Sequence, residues 1–183
     1  LACLKQFKNC SLMVYNRDKN KILKFTNNLK NKNVIKIVKD HNYIKKISRL
    51  DLIINTTSIG FDSWIKKHNK FENLKFFSPI SNIKNIIYSN KKNESEFIKK
   101  NSRIINKNFI EMYRFLNQNS NASVFDIIYN PSLTQLLQQA KMCSMRTING
   151  LEMNLYQAIK AFKIVNLIKN ENKIRIAMIK NGQ

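Results

Sequence analysis

A cluster of small hydroxyl side chains, Thr56-Thr57-Ser58, follows directly on the apolar run Leu50–Asn55 and leads into Gly60. Small polar side chains at the end of an apolar strand let a ligand come close to the main chain, and Gly60 relaxes the steric limits of the turn. A second cluster, Tyr129-Asn130-Pro131-Ser132 with Thr134, closes the apolar run Val124–Tyr129. Here Tyr129 can present its hydroxyl to a cleft, Asn130-Pro131 makes a turn, and Thr134 can cap the following helix. Asp126 sits inside that run, where a buried carboxylate needs hydrogen-bond partners. A third cluster is Asn149-Gly150 ahead of a helical stretch, with Gly150 allowing close backbone approach to a ligand and Gln157 two turns further on. The fourth is the turn Asn16-Arg17-Asp18 after the run Ser11–Tyr15, with Lys19 and Lys21 beside it. An arginine in such a turn can stack on adenine and pair with a 2′-phosphate, whereas an acidic residue accepts hydrogen bonds from ribose hydroxyls.

These clusters need elements to carry them. Ser11–Tyr15, Val34–Val38, Leu50–Asn55 and Val124–Tyr129 read as strands, the latter two nearly continuous in apolar residues. Plausible helices lie at Leu1–Phe7, Lys19–Leu29, Thr134–Met142 and Leu151–Ile168, the last with Leu151, Leu155, Ala158 and Phe162 as its core stripe. Apolar strands separated by helices predict an α/β fold, a doubly wound parallel sheet covered on both faces. The segment from Asp62 to Ala122 breaks this rhythm. It is rich in Lys and Asn, with one amphipathic stretch at Phe109–Leu116, and is expected to be a partly ordered excursion rather than a second domain. The tail Lys173–Lys180 alternates weakly, which suggests a short edge strand or a loose end.

Composition narrows the function classes. The formal charge of +22 invites a nucleic-acid partner, but 27 Lys, 28 Asn and 26 Ile make up 81 of 183 residues. All three are encoded mainly by A/T-rich codons, and the lysines are spread along the chain. Base bias therefore explains the charge better than a selected polyanion surface, and no RNP-like, zinc-finger or OB-like signature accompanies it. Cys3, Cys10 and Cys143 have neither CxxC spacing nor an even count, which points to a reduced, cytoplasmic protein without a zinc site. No apolar run approaches the roughly 20 residues of a bilayer span, so no membrane partner is expected.

Taken in order, Asn55-Thr-Thr-Ser-Ile-Gly60, Asp126-Ile-Ile-Tyr-Asn-Pro131 and Asn149-Gly-Leu-Glu-Met153 with Gln157 resemble the cofactor domain of the shikimate dehydrogenases. Val14-Tyr15-Asn16-Arg17 is similar to that family's strand-then-Asn-Arg signature. The resemblance runs from Leu1 to about Phe162, the long middle segment excepted. It implies a Rossmann-like domain over residues 1–170, with an insertion at about 62–122 and a tail at 171–183. It implies reversible, NADP-dependent reduction of 3-dehydroshikimate to shikimate, in chorismate and aromatic amino acid biosynthesis. Asn16, Arg17, Asp18 and Lys21 would surround the adenosine phosphate. Thr56, Thr57 and Ser58 would line the cofactor path, with Ile127 and Gly150 also at cofactor positions. Tyr129 and Gln157 would reach the substrate.

The chain also departs from the family. The glycine-rich phosphate loop and first strand belong just before Leu1, and the catalytic Lys and Asp belong to an N-terminal domain. The start at Leu1 thus reads as truncated, and no catalytic residue is assigned to this chain. Asp18 stands where the family more commonly has Thr, which leaves open an NAD-using quinate/shikimate dehydrogenase. A non-catalytic basic nucleotide- or nucleic-acid-binding module is the reading from another class. A homodimer is compatible with either.

Overall fold

The computed structural model describes residues 10–16, 20, 24, 35–38, 41–44, 46–79, 83, 85–165 and 170–181. The expected helices Leu1–Phe7 and Lys19–Leu29 lie outside them, apart from Asn20 and Lys24, which are helical. The chain divides into two units, residues 1–47 and 48–183. In the first, β1 (Leu12–Tyr15) runs parallel to β2 (Ile35–Val38), with Leu12 opposite Ile35 and Tyr15 opposite Val38. The short helix α1 (His41–Ile44) follows, and Val38 and Ile44 are buried.

The second unit is built on a parallel sheet of order β3-β6-β7, from Leu52–Asn55, Ser123–Asp126 and Thr147–Ile148. Alternate side chains of a strand face opposite ways. Ile53 and Asn55 of β3 and Val124 and Asp126 of β6 therefore share the buried face, while Leu52 and Ile54 point outward. The expectation of a strand covered on both faces fails at β3, where Leu52 is 46% exposed. The α3 helix (Gln135–Met142) supplies buried Leu136, Leu137 and Ala140 to the same core, and Thr134 caps it by accepting from the Leu137 N–H. Strand β6 stops at Asp126, three residues before the expected Tyr129, because the Asp126 carboxylate accepts from the Ile128 N–H and turns the chain.

The described residues between 62 and 122 are more organised than the expected partly ordered excursion. An antiparallel hairpin, β4 (Trp64–Lys67) and β5 (Lys70–Asn73), leads into a 3₁₀ turn at Leu74–Phe76. His68 and Asn69 make the hairpin turn with positive φ, a conformation Asn adopts more readily than most residues. The 25-residue helix α2 (Glu94–Gln118) completes the crossover from β3 to β6. Asn93 caps it by accepting from the Glu96 N–H, and Glu94 and Glu96 sit favourably at the positive end of the helix dipole. Phe109–Leu116 is only its last third. The asparagines that disguise this helix in sequence hold it in place. Asn108 accepts from the Ser78 N–H (2.9 Å) and donates to the Ser78 carbonyl (3.1 Å). Seven residues earlier, Asn101 does the same with Ile87, at 2.8 and 2.9 Å. Each buried amide thus replaces a strand partner for a loop that would otherwise bury unpaired backbone.

The C-terminal segment is a helix, α5 (Glu171–Asn181), not an edge strand. Asn170 accepts from the Asn172 and Lys173 N–H groups at its start. Ile174 packs with Leu155 and Ile159 of α4 (Leu151–Ile164), and Arg175 pairs with both oxygens of Glu152. The apolar stripe of α4 is therefore Leu155 and Ile159, and the expected Leu151 and Phe162 are exposed. Replacing Asn108 by Ala should destabilise the chain by about 2–3 kcal/mol, because it strands the buried backbone N–H and carbonyl of Ser78. Urea unfolding of the variant measures this, and a loss below about 0.5 kcal/mol contradicts the clamp.

Candidate functional site

Asn55 and Asp126 occupy the last positions of β3 and β6 and lie directly opposite each other. Both side chains point into the core, and Asp126 has no exposed surface. Its carboxylate accepts from Asn55 Nδ2 (3.0 Å), the Ile128 N–H (3.1 Å) and the Thr134 hydroxyl (2.7 Å). Asn55 passes the order on. Its Oδ1 accepts from the Thr57 N–H and hydroxyl at 2.9 and 2.8 Å, and its Nδ2 also donates to the Ile59 carbonyl. The Thr57 Oγ1 in turn accepts from the Ile59 N–H. One buried carboxylate thereby fixes the loop after β3, the loop after β6 and the start of α3. Burial is the largest influence on Asp126 and pushes its pKa up, against the three hydrogen bonds, which favour the ionised form.

The two loops so fixed border a cleft of about 260 Å³, lined by Thr56, Thr57, Ser58, Phe61, Ile127, Ile128 and Tyr129. It opens at the carboxyl ends of parallel strands, the place where open α/β sheets bind ligands. Five expected site residues, Thr56, Thr57, Ser58, Ile127 and Tyr129, come together there. The three hydroxyls are not equivalent. All three residues are exposed, but the Thr57 hydroxyl proton is committed to Asn55 Oδ1. The cleft's lining includes no Lys, His, Asp or Glu. It can hold a ligand by hydroxyls, main chain and apolar contact, but it offers no carboxylate, imidazole or amine for moving a proton.

Gly150 meets the chain itself. Its N–H donates to the Ile128 carbonyl (3.1 Å), and a Cβ there would lie 1.8 Å from the Ile127 carbonyl oxygen. The close approach that requires glycine is to the strand-end loop, so Gly150 holds Ile127 and Ile128 in place. Gln157 is exposed on α4 and does not line the cleft. Asn16 is exposed after β1, while Arg17, Asp18 and Lys21 lie outside the described residues. Sequence reasoning passed over Phe61 and Ile128 as cleft residues. Phe61 directly follows Gly60, so extending the hydroxyl cluster by one position would have included it. Among the described residues no group of three or more His, Cys, Asp or Glu could hold a metal ion, and no helix is long and apolar enough to cross a membrane. Burial raises the pKa of Cys143, so its thiol is not an activated nucleophile.

No protein-family model matches the sequence. The chain is similar to the shikimate dehydrogenase (NADP(+)) of Methanococcus aeolicus, at 31% identity over 179 residues, covering 92% of this chain and 49% of that protein. In structure it is similar to shikimate dehydrogenase from Aquifex aeolicus (TM-score 0.52, 22% identity, 92% of this chain and 44% of that one). It is also similar to shikimate 5-dehydrogenase from Listeria monocytogenes in complex with shikimate and NAD (TM-score 0.54, 19% identity, 92% and 47%). The chain thus spans about half the length of the proteins it resembles. These likenesses agree with the α/β fold expected from the sequence.

The raised pKa of Asp126 has a sign that can be measured. A carboxyl that ionises less readily in the folded state binds its proton there while the unfolded chain has lost it. Its stabilising contribution is full below the unfolded carboxyl pKa and is lost as pH rises through the folded one. Asp126→Asn keeps the shape and cannot titrate. Wild type should therefore gain stability relative to Asp126→Asn as pH falls from 7 toward 4, read as the difference in urea midpoints. A constant difference, or a gain in the opposite direction, contradicts the assignment.

Proposed function

Because the chain belongs to the shikimate dehydrogenase family, we propose that it supplies the cofactor-binding part of an NADP-dependent oxidoreductase that reversibly reduces 3-dehydroshikimate to shikimate. The observation that carries this proposal is the cleft at the ends of β3 and β6, which offers hydroxyls, main chain and apolar side chains but no carboxylate, imidazole or amine. That is the surface expected of a site that positions a cofactor and leaves the proton to residues elsewhere. Its volume of about 260 Å³ is below the roughly 300–1,000 Å³ of sites that enclose a drug-sized ligand, so it suits one end of a dinucleotide.

NADP, when bound, supplies the hydride. Thr56 and Ser58 offer exposed hydroxyls to the ribose and phosphate nearest the reacting ring, and Thr57 sets the loop between them. Ile127 provides the apolar floor, held by Gly150. Tyr129 lines the cleft, where its hydroxyl can bond the substrate, and Gln157 is assigned to the substrate from the family pattern. Asn16, Arg17, Asp18 and Lys21 are assigned to the adenosine phosphate from the family pattern. In this reading residues 1–170 are the cofactor domain, 62–122 a lengthened crossover and 171–183 a C-terminal extension. The catalytic Lys and Asp belong to the part of its relatives that the chain does not match.

The relatives named for NADP(+) support that cofactor, and the Listeria neighbour with NAD keeps the second dinucleotide as the comparison to make. NADPH should raise the unfolding midpoint of the 183-residue chain more than NADH does. Arg17→Ala should remove that difference, since a ligand stabilises the state it binds by an amount that grows with the logarithm of its concentration relative to Kd. Adding 3-dehydroshikimate should give no oxidation of NADPH by this chain alone. Equal effects of both cofactors, or their persistence in Arg17→Ala, would remove Arg17 from the 2′-phosphate. Tight RNA binding with a steep salt slope and no effect of NADPH would replace the whole proposal by a polyanion-binding module.

A further inference from the structure

Phe61 is 37% exposed and lines the cleft, yet its backbone is fastened on both sides by the lengthened crossover. On one side, the Gly60 N–H donates to the Leu74 carbonyl at 3.1 Å, with Gly60 at φ +106°. On the other, Asp62 accepts from Asn73 Nδ2 (2.9 Å) and from Lys75 Nζ (3.2 Å). Lys75 reaches on to Glu94 in the first turn of α2. Behind the loop, Ile59 is buried against Phe77 and Phe97, with Trp64 edge-on to Phe97 at 5.8 Å. These tethers join the hydroxyl loop, the hairpin, the 3₁₀ turn and the long helix around one ring.

A ring held in this way could have been turned into the Ile59 cluster, which already gathers Trp64, Phe76, Phe77 and Phe97. It faces the cleft instead, beside the apolar side chains of Ile127 and Ile128. An aromatic face on an apolar floor favours a flat ring above it, and offset stacking adds about 0.5–1.5 kcal/mol beyond the area buried. The ion pairs themselves are partly exposed and add little to global stability, so their effect is on where the ring stands.

We propose that Phe61 is a binding residue of the cleft, its ring stacking on the planar nicotinamide ring, and that the Asp62–Lys75–Glu94 chain of ion pairs is its positioning device. This rests on the cofactor reading above. It gives the lengthened crossover a job, namely to brace the ligand loop from outside the sheet. The brace adds no group that touches the reacting atoms.

The test is an NADPH titration of the 183-residue chain, read by energy transfer from Trp64, its single tryptophan, together with the thermal midpoint of each variant. Phe61→Leu keeps apolar bulk and removes the ring, and should weaken binding roughly tenfold with the midpoint nearly unchanged. Phe61→Tyr keeps the ring and should bind within about twofold of wild type. Lys75→Met should weaken binding about two- to fivefold, again without a matching loss in midpoint. If wild type binds and Phe61→Leu binds equally well, the stacking role is overturned while the cofactor reading stands. If Lys75→Met binds as wild type does, the positioning role is overturned. If wild type shows no binding of NADPH, the cofactor reading itself fails and this inference goes with it.

Discussion

The second unit of this protein depends on one buried carboxylate. Asp126, with no exposed surface, ties the end of β3 through Asn55, the loop after β6 through the Ile128 N–H, and the start of α3 through Thr134. An unpaired carboxylate in that position would be costly, and without it the Ile128 N–H and the Thr134 hydroxyl would lose the acceptor they share. The network therefore has to be made as a whole. Once made, it leaves the loops after β3 and β6 little freedom, and the cleft between those loops is shaped in advance of any ligand. Burial of the acid raises its pKa in spite of these hydrogen bonds.

The same network separates roles that the sequence runs together. Thr56, Thr57 and Ser58 form one cluster on paper and all three are exposed, yet Thr57 alone bonds Asn55 through both its N–H and its hydroxyl. Gly150 looks like a ligand-approach glycine, yet the atom that excludes a side chain there is the Ile127 carbonyl oxygen. In each case the group that shapes the site is distinct from the group that would touch a ligand. A cleft shaped so firmly, and lacking titratable side chains other than Tyr129, suits the holding of a cofactor whose own chemistry does the work.

Sequence patterns that express local physics were legible. Strands β3 and β6, the Thr134 cap and the need of Asp126 for partners follow from apolar runs and from single polar residues within them. What escaped depended on distant contacts. Asn101 and Asn108 look like helix breakers and solvated residues, but their amides complete the backbone bonding of loops 14 and 30 residues away, which lets α2 extend over 25 residues. Compositional drift accounts for the abundance of Asn but not for these positions. The alternation in the tail was too weak to decide between strand and helix, and burial of Ile174 against Leu155 and Ile159 decided it. Phe61 was hidden because its placement comes from the hairpin, which no short-range pattern announces.

The central claim is that the polar ends of β3 and β6 form a ligand cradle. Amide chemical-shift mapping of the 183-residue chain on addition of NADPH tests it most directly. The largest shifts should fall at Thr56–Ser58, Phe61 and Ile127–Tyr129, with smaller ones at Gly150. Shifts confined to the outer, lysine-bearing face of α2, or scattered over exposed lysines elsewhere, would contradict the account.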